Sequence, residues 1–255
     1  MKSLENPQHF RAKRNDFIKR SFRDIADQDY ISARLLHRNQ LLHQFLWAGL
    51  QAIEKYLKAI LLFHDEDTRD IKHDLNKALL CAEKISKLGI VIPQEPRDFI
   101  QYLGTYGKDR YFTHPTFTKG WELFLLDRTV WYLRRYCDDF YFPHENQRLI
   151  NYNLARLKGI QQMTIESRKM SYRLDKNGFL ETVLDGKHPE LRPALVWKNF
   201  FFADKKRKTI PFQNIATCNQ PANLVYPEIL EWAESRVSLP NVVKEEMRRR
   251  LHAKK

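Results

Sequence analysis

One helix constrains this chain more than any other part of it. From Phe45 to Leu61 the apolar residues Phe45, Leu46, Leu50, Ile53, Leu57, Ile60 and Leu61 recur at three- and four-residue steps. That spacing lays an apolar stripe along a helix, and other elements must bury it. Gln51, Glu54, Lys55 and Lys58 fall on the remaining faces. Glu54 and Lys58 stand four apart in the favourable order, worth about 0.2–0.5 kcal/mol of helix support.

The same periodicity predicts the helices that cover the stripe, over about 20–38, 74–88, 97–106 and 119–140, with Gly89 and Gly107 where two of them end. Together they make a mainly α bundle over residues 1–144. Beyond Pro143 the pattern changes. A helix over 145–160 is followed by Asn177-Gly178 between two β-prone stretches, which predicts a hairpin. Leu195–Phe202 reads as a strand, Thr209–Phe212 as part of another hairpin, and Pro227–Arg236 and Asn241–His252 as helices. Residues 145–255 are therefore expected to form a smaller, basic α+β region.

The arrangement Gln51-Ala52-x-Glu54-Lys55-x-Leu57-Lys58-Ala59, followed by His73-Asp74-Leu75 and by Arg110-Tyr111 ahead of another long helix, resembles the HEPN (higher eukaryotes and prokaryotes nucleotide-binding) domain over about residues 24–140. The resemblance implies a helical scaffold that binds nucleotides or RNA and pairs as a homodimer. Many such proteins are metal-independent ribonucleases of toxin or defence systems. They carry an arginine and a histidine separated by four to six residues. A further reading is a helical module that docks a nucleotidyltransferase or antitoxin partner.

At the place the resemblance indicates, this chain has Arg110-Tyr111-Phe112-Thr113-His114, with only three residues between arginine and histidine. Pro115 follows and turns His114 away from helical backbone angles. In the catalytic reading Arg110 stabilises a developing phosphorane and His114 moves a proton. In the structural reading Arg110-Tyr111 resembles the R-Y-P turn of non-nuclease relatives. Arg38 and His43 have four residues between them, but they lie between the first and second helices rather than at the end of the bundle.

Charge points to a polyanion. The chain carries a net +13, and residues 145–255 hold 21 basic against 12 acidic residues, while residues 1–144 hold 23 against 19. In the more basic part, Trp197-Lys198-Asn199-Phe200-Phe201-Phe202 precedes Lys205-Lys206-Arg207-Lys208. That is a candidate RNA platform, with Trp197 stacking on a base and the tetrabasic run neutralising phosphates. The alternatives are core aromatics and a solvated loop.

His64, Asp65, Glu66, Asp67, Asp70, His73 and Asp74 form a charged cluster whose spacing matches no calcium or zinc motif. Asp70 or Asp74 is instead expected to cap the next helix. The chain has no glycine-rich phosphate loop, GxSxG elbow or HExxH helix. No metal or cofactor is expected. Cys81, Cys137 and Cys218 are few and widely spaced, as in a reducing cytoplasm. The longest apolar runs fall short of the roughly 18–20 residues that span a bilayer, and the basic N-terminus lacks the apolar core of a signal peptide.

Overall fold

The computed structural model describes residues 6–109, 113–141, 146–162, 178–202 and 217–253. The chain enters through α1 (Pro7–Ile18), where the Asn6 side chain accepts the Gln8 N–H at 2.9 Å. A π-turn over Lys19–Arg23 carries it without a break into α2 (Asp24–Arg38). The helix expected to begin near residue 20 thus extends back to Pro7. The apolar stripe then forms α3 (Leu42–Phe63), which packs against α1 and α2 and against α4 (Leu75–Glu83), α5 (Gln94–Tyr106) and α6 (Glu122–Arg134). Asp74 caps α4, accepting the Lys77 N–H at 3.0 Å, and Gly89 follows a single 3-10 turn in the left-handed conformation at φ 53°.

Between α5 and α6 lies the short strand β1 (Thr116–Thr118). α7 (Gln147–Gln161), α8 (Phe179–Leu184) and α9 (Arg192–Val196) come next, then β2 (Thr217–Asn219), α10 (Ala222–Val225), α11 (Leu230–Glu234) and α12 (Asn241–Ala253). β2 pairs antiparallel with β1, Phe117 opposite Cys218. No helix among the described residues is long and apolar enough to cross a membrane.

One apolar core takes in residues from Ile18 to Phe202, so Leu157, Ile160 and the apolar residues of 178–202 share it with the bundle, and the expected division at 144/145 does not divide the core. A second, small cluster of Leu224, Leu230, Ala233, Leu239, Val243 and Met247 closes the C-terminal part. What binds 178–202 to the bundle is buried charge. The fully buried guanidinium of Arg134 bonds Asp27 at 2.7 and 2.8 Å and Glu181 at 2.8 and 2.7 Å. Asp27 also accepts the Tyr56 hydroxyl at 2.6 Å and the Leu180 N–H at 3.1 Å. In a second knot Arg34 pairs with Asp127 and donates to the carbonyls of Ala194 and Trp197.

These knots explain where the β expectations fail. Gly178 begins α8 rather than turning a hairpin, and a Cβ there would collide with the Glu181 carboxylate that folds back toward Arg134. The expected strand over Leu195–Phe202 is instead the end of α9 and a turn. In it the buried Asn199 side chain accepts the N–H groups of Phe201 and Phe202 at 2.9 and 2.8 Å. Phe201 and Phe202 are both fully buried, as they would not be on a strand with one solvated face. The expected hairpin at Thr209–Phe212, like Asn177, lies outside the described residues.

Replacing Arg134 by Met would leave the Asp27 and Glu181 carboxylates buried without a counter-charge. Urea unfolding of that variant should show a loss of about 3–5 kcal/mol.

Candidate functional site

The site is built where the start of α3 meets the end of α5. Gly107 closes α5, and a Cβ on it would lie 2.9 Å from the Leu46 carbonyl oxygen and 2.9 Å from the Leu50 Cβ. Only a glycine allows this approach of the two backbones. Two residues later the chain turns on Asp109. Its carboxylate accepts the Thr113 N–H at 2.9 and 2.7 Å, the Thr113 hydroxyl at 3.0 Å and the His114 N–H at 2.8 Å. Burial raises the Asp109 carboxyl, but these donors and the His114 charge outweigh it, so it titrates below its ordinary value.

The His114 ring sits over the same carboxylate, Nδ1 3.3 Å from Asp109 Oδ2, with 26% of the side chain exposed, so solvent and ligand reach the imidazole. Thr113–Pro115 is not helical, as the proline predicted. The turn is braced from the C-terminal part, where Asn223 donates to the Thr113 carbonyl at 3.3 Å and β2 pairs with β1. Arg110 lies outside the described residues.

His43, half-buried at the start of α3, is near enough for Asp109 to favour its protonated form, although burial dominates and holds its pKa below 6.5. Leu41, at the cap of α3, makes no side-chain hydrogen bond to the helix, and its first turn holds no acid, so the positive end of the dipole faces this region uncompensated by a carboxylate of its own turn. Sequence reasoning missed Asp109 and set His43 aside for its place in the chain. The first carried a signal, a carboxylate four and five residues ahead of the two N–H groups it binds.

Trp197 stands at the end of α2, half-buried, with Arg38 5.6 Å and Lys198 5.0 Å from its ring centre. Burial first, and then Arg34 and Lys198, push the neighbouring His37 down to about 4. α2 ends four residues before α3 begins, so Trp197 and His43 belong to the same end of the bundle. Lys205, Lys206, Arg207 and Lys208 lie outside the described residues. The chain on either side of them is anchored. Phe200 and Phe201 pack on Phe124 in the first turn of α6, and Thr217 pairs with Thr118.

The acidic and histidine cluster after α3 is dispersed. His73 Nδ1 is 3.0 Å from Glu54, Asp65 pairs with Arg14, and Asp67 with Arg69. Among the described residues no group of three or more His, Cys, Asp or Glu is placed to hold a metal ion.

Residues 20–120 match the family model of the HEPN domain. This part of the chain is similar to the HEPN domain. The match runs from the π-turn through β1 and includes His43, Asp109, Arg110 and His114, whereas α6 and everything after it lie beyond the matched residues. The matched residues are tied to elements outside the match, since Asp127 pairs with Arg34 of α2, and Arg134, itself paired with Glu181, bonds Asp27 of α2. Comparison with curated proteins and with solved structures gave no match.

Changing Asp109 to Ala strips the Thr113 and His114 N–H groups of their acceptor. We expect a loss of about 1–3 kcal/mol in denaturant unfolding at pH 7. Because the folded carboxyl titrates below 3.8, this stability is present above that pH and is lost as pH falls through the depressed value. Unfolding of the two proteins should therefore converge only in that acid range.

Proposed function

We propose that this chain is a HEPN-type RNA-binding protein whose nucleic-acid face is the end of the bundle that carries His114. It would act in the cytoplasm and, as the resemblance implies, as a homodimer. The observation that carries this reading is convergence. His43 and His114 stand at Asp109, Trp197 stands between Arg38 and Lys198 where α2 turns into α3, and both anchors of the tetrabasic segment belong to the same end. In this reading Trp197 contacts a base, while Lys205, Lys206, Arg207 and Lys208 take phosphates.

A binding mode dominated by phosphate contacts is salt-dependent. Substituting all four residues 205–208 by serine should weaken binding to single-stranded RNA. The slope of log K against log salt should become shallower by roughly 3, at about 0.7 for each phosphate that is no longer neutralised. Binding that ignores both salt and these substitutions would contradict the reading.

A second reading, metal-independent RNA cleavage, is favoured by one specific feature, a solvent-reachable imidazole held by a carboxylate. In that reading Arg110 stabilises the charged phosphorus centre and His114 transfers a proton. The purified protein should then cut RNA in the presence of chelator and leave 2′,3′-cyclic phosphate ends. Arg110→Ala and His114→Ala should each abolish cutting, and RNA left intact by the wild type sinks this reading.

A further inference from the structure

Transesterification of RNA needs two proton transfers, and the fold brings two imidazoles to one carboxylate. His43 is the second residue of α3 and shares a face with Leu46 and Leu50, three and seven residues further on. Gly107 is pressed against that face. Two residues beyond Gly107, Asp109 bends back onto Thr113 and His114. His114 therefore contacts Asp109 from the turn after α5, and His43, at the start of α3, lies close enough to feel the same carboxylate. The histidine that its place in the chain set apart from His114 shares with it the field of one carboxylate.

We infer that His43 is a second catalytic residue of this site, taking the ribose 2′-hydroxyl proton while His114 protonates the departing 5′-oxygen. The inference rests on the ribonuclease reading above. In the step, the 2′-oxygen attacks phosphorus, the O2′–P bond forms and the P–O5′ bond breaks. The 2′ proton passes to His43, and the proton carried by His114 goes to O5′. The products are a 2′,3′-cyclic phosphate and a 5′-hydroxyl. The roles divide this way because burial favours the neutral, proton-accepting form of His43. At His114, Asp109 faces Nδ1 at 3.3 Å, which orients the ring and leaves Nε2 to face the substrate.

The test uses an RNA oligonucleotide that the wild type cuts, and the same oligonucleotide with sulfur replacing the bridging 5′-oxygen at the cut linkage. Sulfur leaves without being protonated. On ordinary RNA, His43→Ala and His114→Ala should each slow cleavage by on the order of 10²–10⁴-fold. On the sulfur substrate, His114→Ala should recover and His43→Ala should not. For the wild type, the sulfur substrate should remove the alkaline limb of the pH profile of kcat/KM and keep the acidic limb. That measurement, together with His43→Gln, decides the matter should His43→Ala fail to fold. Recovery of His43→Ala on the sulfur substrate, near-wild-type cleavage of ordinary RNA by it, or loss of the acidic limb from the wild-type sulfur profile overturns the role of His43 and leaves the ribonuclease reading standing. A wild type inert toward ordinary RNA removes both.

Discussion

The Arg134 guanidinium, sealed between Asp27 and Glu181, is the interaction on which the rest of this molecule depends. A charge removed from water is tolerated only when its partners are complete, and loss of one partner costs more than the pair contributes. Asp27 lies on α2, Arg134 on α6 and Glu181 on α8, so satisfying one charge fixes three elements that are far apart in the chain. The Arg34–Asp127 pair repeats the arrangement along the same helices and adds the carbonyls of Ala194 and Trp197. The segment 178–202 is thus part of the scaffold rather than an appendage. It supplies the acceptors that complete the hydrogen bonding of Arg34 and Arg134.

That scaffold determines what can happen at its end. With α2, α3 and α6 locked, the start of α3 and the end of α5 meet at Gly107, and the chain has no freedom to place Asp109 elsewhere. The C-terminal cluster braces the turn from outside through Asn223 and the β1–β2 pair. A half-buried imidazole on a buttressed turn is pre-organised for binding or proton transfer, because little ordering remains to be done when a ligand arrives. The same end gathers Arg38, Lys198 and Trp197, which gives the face the sign and the ring that a nucleic acid requires.

The helices were legible in the sequence because burial of an apolar stripe leaves a period of three to four residues, and α3, α4, α5, α7 and α12 all carry it. The region after α7 was misread where polar groups rather than apolar ones decide the backbone. Gly178 looked like a turn and is instead a clearance for Glu181. Phe201 and Phe202 looked like alternating strand positions and are turned inward together by Asn199. Such decisions depend on partners distant in the chain, Arg134 for Glu181 and Tyr30 for Asn199, which no local pattern records. His114 was legible as a candidate. The company of His43 was not, since it arises from the packing of α5 on α3.

The central claim is that ligand is received at the end of the bundle where His43, His114 and Trp197 converge, and nuclear magnetic resonance of the imidazole and indole groups tests it most directly. Titrating the protein with a 2′-O-methyl RNA oligonucleotide, which cannot undergo transesterification, should shift the signals of His43 and His114 together with that of the Trp197 ring. His64, His73 and His188, which lie on other parts of the molecule, should keep theirs. Shifts confined to those three histidines, or saturation of binding with His43 and His114 undisturbed, would contradict the account.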